Sequence, residues 1–145
     1  MSINRGLMSS NSPEWATPQS FFDDLDREFH FTLDPCCTPL NKKCKKYYTK
    51  DDNGLSKDWS GETVFCNPPY GREITKWVRK CHIESTKGAT VVMLIPARTD
   101  TAYFHDYIYG KHEIRFIRGR LRFNEIGRAP FPSMVVIMRG DHQCK

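Results

Sequence analysis

The stretch "ATVVMLIPA", residues 89–97, contains the clearest buried strand in the chain. Its aliphatic and β-branched residues do not alternate with polar ones, a pattern typical of a strand covered on both faces of a sheet. Pro96 limits the run, because proline cannot donate a hydrogen bond to a sheet ladder. We therefore expect this stretch to form a central strand.

The chain before this strand alternates between helical and extended patterns. Thr17 is a candidate N-cap with Pro18 at the first helical position. The helix that follows carries an apolar stripe at helical spacing, formed by Phe21, Phe22, Leu25 and Phe29. Short strands are predicted at 31–34, 44–49 and 63–67. A second helix is predicted over 72–85, with Ile74, Trp77, Val78 and Cys81 on one face.

The chain after the central strand predicts one helix and two strands. Residues 101–109 predict a short helix ended by Gly110, and "EIRFIRG" (113–119) and "SMVVIMRG" (133–140) predict strands that pair with each other. A basic segment at 118–132 separates these strands. This order predicts an α/β fold with a mostly parallel sheet and an antiparallel C-terminal strand.

Composition describes an ordinary globular protein of 145 residues, with 39% hydrophobic and 27% charged residues and a formal charge of +5. We expect a disordered segment over 1–12, a single domain over 13–140 and a tail over 141–145. No apolar run is long enough to span a membrane, and the N-terminus lacks the apolar core of a signal peptide, so we expect a cytoplasmic protein. The six cysteines do not form two pairs at zinc-ligand spacing, and no metal site is predicted.

Three predicted strands end in prolines and polar residues. These ends read Asp34-Pro35, Asn67-Pro68-Pro69-Tyr70 and Pro96-Ala97-Arg98. Ligands of open α/β sheets bind at the carboxyl ends of the strands. We therefore expect the functional site at this edge.

The segment "NPPY" (67–70) has the chemistry of an amine clamp. The side-chain carbonyl of Asn67 and the main-chain carbonyl of Pro68 form a rigid pair of acceptors, which suits an exocyclic amine with two N–H donors. Accepting both hydrogens draws the amine lone pair out of conjugation, and Tyr70 can stack on the attached ring. The segment therefore predicts activation of the amine of a planar base.

These motifs together carry a family resemblance. "NPPYG" resembles the [DNS]-PP-[YFW] motif of DNA amino-methyltransferases. With "WATPQSFF", "FTLDPCC" and "DDNGL" in order, residues 13–139 resemble the small phage DNA N-6-adenine methyltransferases of the Dam type. The resemblance implies a trimmed Rossmann-like, S-adenosylmethionine-dependent methyltransferase fold. It also implies methylation of a flipped adenine in double-stranded DNA, in a bacteriophage or restriction-modification setting.

The resemblance also implies roles for individual residues. Asn67, Pro68, Pro69 and Tyr70 form the clamp and base platform. Thr17 and Asp34 hold the methionine end of the cofactor, and Asp52 accepts a hydrogen bond from its adenine amine. The remaining cofactor-binding residues are Trp15, Pro18, Pro35, Cys36 and Asn67. The loop "DPCCTPLNKKC" contains no glycine, so its shape should differ from the glycine-rich turn of larger enzymes.

The basic segment and the residue after the central strand are the predicted DNA contacts, since arginine suits phosphates and guanine edges. They are Arg98, Arg118, Arg120, Arg122 and Arg128. Other readings stay open at this point: methylation of cytosine N-4, of RNA or of a protein glutamine, and a DNA-binding module with a degenerate methyltransferase fold. An isolated NPPY could also be an ordinary turn, and the arginine segment a solvated hairpin.

Overall fold

The computed structural model describes residues 15–123 and 127–140, with 127 and 128 described through the main chain only. The expectations for 1–12 and 141–145, and the side chain of Arg128, lie outside this described part. The helices are α1 (Gln19–Phe29) and α2 (Ile74–Thr86). The strands are β1 (Leu33–Asp34), β2 (Lys46–Tyr47), β3 (Thr63–Cys66), β4 (Thr90–Pro96), β5 (Glu113–Phe116), β6 (Arg122–Phe123), β7 (Gly127–Arg128) and β8 (Ser133–Met138).

Within the described residues, six strands form one sheet in the order β2-β1-β3-β4-β8-β5. β2, β1, β3 and β4 run parallel, and β8 is antiparallel to both β4 and β5. The predicted α/β architecture and the pairing of the two C-terminal strands are confirmed. The carboxyl ends of β1, β3 and β4 consequently lie along one edge of the sheet.

β4 lies at the centre of the core, as its unbroken apolar run predicts. Every residue from Val91 to Pro96 is buried, and β3 and β8 pair with its two edges. Complete burial of a Val, Leu or Ile side chain stabilises the fold by about 1.5–3 kcal/mol relative to its exposed state. This packing holds the ends of β3 and β4 side by side.

α1 packs on the sheet through the predicted aromatic stripe, but it begins differently from the prediction. Phe22 and Leu25 are buried, and the Phe22 ring lies edge-on to Phe65 of β3 with 5.1 Å between centroids. The N-cap prediction for Thr17 is wrong, because Pro18 occupies the N-cap and the first helical residue is Gln19. The Thr17 hydroxyl instead accepts a hydrogen bond from Asn67.

The second predicted helix is confirmed as α2, which buries the face formed by Ile74, Trp77, Val78 and Cys81. The short helix after β4 is a π-helical turn at Phe104–Ile108, and Gly110 follows it with a φ of 78° that favours glycine. No helix among the described residues has the length and apolar character needed to cross a bilayer.

The basic segment contains a hairpin, which is the alternative that the sequence left open for it. β6 and β7 pair antiparallel, with Arg122 opposite Arg128. Each strand has only two residues, which is too short for a period-2 pattern to be read. The buried ring of Phe123 attaches this hairpin to the core.

Candidate active site

A cavity of about 650 Å³ opens where β1 and β3 end. Eight of the predicted site residues line it: Trp15, Thr17, Asp34, Pro35, Cys36, Asn67, Pro68 and Pro69. Pro18, Tyr70, Asp52 and Arg98 are not among its lining residues. The structure therefore brings the ends of β1 and β3 together with the segment before α1.

Asn67 directly follows β3, and its side-chain amide is held at both ends. Nδ2 donates to the main-chain carbonyl of Trp15 and, over 2.9 Å, to the Thr17 hydroxyl. Oδ1 accepts from the Tyr70 hydroxyl over 2.7 Å. In the described part of the chain, no hydrogen bond engages the main-chain carbonyl of Pro68. That oxygen is therefore an available acceptor next to a fixed amide.

Tyr70 is buried beneath the cavity wall, with 6% of its surface exposed. Its hydroxyl lies 2.7 Å from Asn67 Oδ1 and 3.1 Å from the carbonyl oxygen of Leu94, and its single proton can serve one of these acceptors. The ring packs edge-on to Phe131, 5.5 Å between centroids. Burial raises the pKa of the phenol, so it stays protonated. In this arrangement the ring face is not open to the cavity.

Asp34, at the end of β1, is a buried carboxylate without a cationic partner in the described residues. Its oxygens accept from the main-chain N–H groups of Lys43, over 2.9 Å, and Cys36, over 3.4 Å. Burial outweighs these hydrogen bonds and raises the pKa of Asp34 from 3.8 to about 6. A carboxylate in such a setting favours a ligand that brings a positive charge.

The loop after β1 is closed by side-chain hydrogen bonds in place of glycines. The main-chain N–H of Thr38 donates to Asn41 Oδ1 over 2.7 Å, and the N–H of Asn41 donates to the Thr38 hydroxyl over 3.2 Å. Both residues line the cavity. The loop can therefore form the cavity wall without the positive φ angles that a glycine-rich turn uses.

The turn at 49–53 forms another wall, but not through the predicted carboxylate. Asp52 Oδ2 accepts from the main-chain N–H of Thr49 over 2.8 Å and from its hydroxyl over 3.1 Å, which closes the turn. These hydrogen bonds lower the pKa of Asp52. Its neighbours Asp51 and Asn53 line the cavity instead. The sequence interpretation missed both, since adjacent turn residues carry the same polar signal.

Gly54 permits a close approach between this turn and the end of β1. A Cβ atom at position 54 would lie 2.2 Å from the carbonyl oxygen of Pro35, and 3.3 Å from the ring of Trp77. Both Pro35 and Trp77 line the cavity. The glycine of "DDNGL" is therefore required by packing against the cavity wall. Trp77, which the sequence assigned to the core alone, has this second role.

Four of the arginines predicted to contact DNA are exposed, and the hairpin that carries Arg122 packs beside the cavity. Arg98, Arg118, Arg120 and Arg122 are exposed side chains. The ring of Trp15 lies edge-on to Phe123 of β6 and to Phe131, with centroids 5.5 and 5.4 Å apart. Since Trp15 lines the cavity, the base of the arginine-bearing hairpin adjoins its wall.

Sequence comparisons point in the same direction as this geometry. The profile of the DNA N-6-adenine-methyltransferase (Dam) family matches residues 6–142. The chain is 32% identical over 132 residues to the DNA N-6-adenine-methyltransferase of Haemophilus phage HP1, covering 88% of this chain and 76% of the phage protein. It is 29% identical over 124 residues to the protein of the same name from Escherichia phage T1, covering 81% of this chain and 52% of that protein. As its motifs predicted, the chain belongs to the DNA N-6-adenine-methyltransferase (Dam) family and is a transferase.

Proposed function

We propose that the protein transfers the methyl group of S-adenosylmethionine to the N-6 amine of an adenine flipped out of double-stranded DNA. This proposal rests on one observation: two sets of acceptor groups line the same cavity, and each set suits a different reactant. Asn67 and Pro68 offer carbonyl acceptors, and Asp34 offers a buried carboxylate that forms no salt bridge among the described residues. An exocyclic amine suits the first pair and an ammonium suits the carboxylate.

The cofactor fits the cavity by the chemistry of its lining. S-adenosylmethionine supplies a methyl group on a positively charged sulfur. Asp34 accepts hydrogen bonds from its ammonium, which offsets the cost of burying the carboxylate. Trp15, Pro35 and Cys36 wall the methionine end. The adenine end faces the polar turn at 49–53, where Asp52 maintains the turn.

The clamp acts on the adenine amine by accepting its two hydrogens, one at Asn67 Oδ1 and one at the Pro68 carbonyl. This draws the nitrogen lone pair away from the ring and towards the methyl group. The lone pair would form the new N–C bond as the C–S bond breaks, S-adenosylhomocysteine would leave with the electron pair on sulfur, and the methylated nitrogen would then release one proton to water. Pro68 and Pro69 restrict the main chain, so the acceptors need little rearrangement. Most of the rate enhancement then comes from holding the amine and the methyl group in line.

Tyr70 has to move if it is the stacking platform. Its hydroxyl now shares Asn67 Oδ1, and its ring is packed against Phe131. In the proposed complex, the adenine amine replaces the phenol at Oδ1 and the Tyr70 ring turns to cover the base. Aromatic stacking on an unstacked base stabilises such complexes by about 1–3 kcal/mol, which can offset the lost packing.

The DNA backbone is held by the arginines at 98, 118, 120, 122 and 128, of which the first four are exposed. The contact of the Trp15 ring with Phe123, next to Arg122, supports a position of the hairpin beside the cavity. Duplex DNA bound there places a flipped base near Asn67.

Methyl transfer is tested with labelled S-adenosylmethionine and DNA that lacks adenine methylation, followed by digestion and identification of the nucleoside. We expect N-6-methyladenine from the wild-type protein and about a 10²-fold or greater loss of rate with Asn67→Ala. Gln19→Ala, which removes an exposed side-chain amide outside the cavity lining, serves as the control and should keep the wild-type rate. Transfer of the label to cytosine or to RNA would contradict methylation of adenine in DNA. DNA binding without any transfer would favour a DNA-binding module.

The DNA surface is tested by the double variant Arg120→Ala and Arg122→Ala. Removing two phosphate contacts should weaken DNA binding and reduce the slope of log affinity against log salt by about 2. The control is Arg27→Ala with Arg79→Ala, two exposed helical arginines. Unchanged affinity and an unchanged salt slope in the first variant would remove the hairpin from the DNA interface.

A further inference from the structure

The orientation of the Asn67 amide is determined by its partners. The main-chain carbonyl of Trp15 can only accept a hydrogen bond, so the amide nitrogen has to face it. The Thr17 hydroxyl lies on the same side, 2.9 Å from Nδ2. Oδ1 is consequently turned towards the Tyr70 hydroxyl and is the atom left to accept from an amine.

We infer that Thr17 is a positioning residue that acts through Asn67, together with the carbonyl of Trp15. This inference rests on the proposed function of Asn67 as an acceptor for the adenine amine. An amide rotated by half a turn would present its N–H₂ group to an amine that also donates, and the clamp would fail. The hydroxyl and the carbonyl prevent this rotation by occupying both hydrogens of Nδ2.

The segment that carries these two acceptors is itself held firmly. Thr17 is buried, with 6% of its surface exposed, and it precedes Pro18, which restricts its main chain to extended conformations. Its β-branched side chain has few χ1 choices. The ring of Trp15 packs edge-on against Phe123 and Phe131. Residues 15–18 thus form a rigid brace for the amide.

The brace makes this site specific for asparagine at position 67. The family pattern admits aspartate at the first position of the motif, but a carboxylate here would place an acceptor against the Trp15 carbonyl. The two oxygens would repel each other, and the carbonyl would lose its donor. The first residue of the motif is therefore selected in this chain by the segment before α1.

The test compares Thr17→Val, which keeps the shape and removes the hydroxyl, with Thr17→Ser, which keeps the hydroxyl. For Thr17→Val we expect kcat at saturating S-adenosylmethionine and DNA to fall about tenfold to a hundredfold. The dissociation constant for S-adenosylmethionine, measured directly by calorimetry, should change less than about twofold. Thr17→Ser should restore most of kcat.

The opposite pattern of effects on kcat and on the dissociation constant would overturn the inference. Weaker cofactor binding with kcat retained at saturation would make Thr17 a cofactor ligand, and unchanged values of both would give it no role. A wild-type protein that methylates no DNA would instead refute the proposed function.

A second measurement, the melting temperature, tests the brace without an activity assay. Asn67→Asp should lower the melting temperature at pH 8 by roughly 3 °C or more, because a buried acceptor is left facing the Trp15 carbonyl. The matched control is Asn41→Asp, since Asn41 uses its Oδ1 to accept from the main-chain N–H of Thr38 and a carboxylate can do the same. Equal melting temperatures for the two variants would show that the brace does not select asparagine.

Discussion

Asp34 and Glu84 are both acidic side chains removed from solvent, with 3% and 1% of their surfaces exposed, yet their surroundings differ. Glu84, on α2, accepts from the ammonium groups of Lys80 and Lys87 over 2.8 and 3.0 Å and from the N–H of Trp59 over 2.8 Å. Burial alone raises the pKa of Glu84, but these hydrogen bonds outweigh it and leave the pKa below its usual value.

Asp34 forms no salt bridge in the part of the chain that the structure describes, and burial outweighs its hydrogen bonds and raises its pKa to about 6. The difference separates a structural carboxylate from one suited to binding. Glu84 has its cations within the protein and holds α2 to the loop at 57–59. Asp34 lies on the cavity and forms no salt bridge with the described residues, so a cationic group of a ligand can pair with it. Three predictions test this distinction.

The largest effect is expected from Glu84→Gln. Removing the carboxylate leaves the largely buried ammonium of Lys80 without its partner, which should lower the free energy of unfolding by about 3 kcal/mol or more. Denaturation by urea at pH 7 measures this change. The control Asp24→Asn removes one partner of an exposed pair with Arg27 and should have little effect. Equal stability of both variants would mean that Glu84 is not structural.

The next effect is the pH dependence that Asp34 contributes to stability. Its folded pKa, about 6, lies above the unfolded value of 3.8, so ionisation destabilises the folded state. The wild-type protein should therefore lose up to about 3 kcal/mol, relative to Asp34→Asn, as pH rises from 4 to 7. Urea denaturation of both proteins across this range gives the free energy of unfolding at each pH. The change with pH can then be compared separately from any constant difference in stability between the two proteins. Parallel stability curves would contradict the raised pKa.

The smallest of the three effects is on cofactor affinity. Loss of a charge-assisted hydrogen bond to the ammonium should make Asp34→Asn bind S-adenosylmethionine about 10- to 100-fold more weakly at pH 7.5. Glu84→Gln should bind the cofactor as the wild type does once it is folded. Calorimetric titration of both variants makes the comparison. An unchanged affinity for Asp34→Asn would place the ammonium elsewhere in the cavity.

Much of the fold could be predicted from the sequence, because a buried strand or helix face requires apolar residues at defined positions. The apolar run of β4 and the stripe of α2 predicted their positions to within a residue or two. The hairpin β6–β7 stayed an open alternative, with no strand bounds predicted, because two-residue strands carry no period. The N-cap of α1 was misassigned because Thr17 binds Asn67, a partner 50 positions away in the chain.

The sequence predicted those parts of the candidate site that lie in a contiguous motif. It could not predict the parts that depend on contacts between distant segments. The position of Asn67 on a cavity with Asp34 and Thr17 agrees with the prediction. The burial of Tyr70 depends on Phe131 and on the carbonyl of Leu94, which no local pattern could reveal. Likewise, only the folded turn shows that Asp51, and not Asp52, faces the cavity.

Residue order alone was enough to predict the family, the central strand and the residues that end the strands, because those properties depend on local composition and on contiguous motifs. Folding sets how those residues face one another. It places the Trp15 carbonyl and the Thr17 hydroxyl against one end of the Asn67 amide, and it buries Asp34 with no salt bridge among the described residues. Hydrogen-bond direction and desolvation depend on neighbours that folding brings together, and order along the chain does not specify those neighbours.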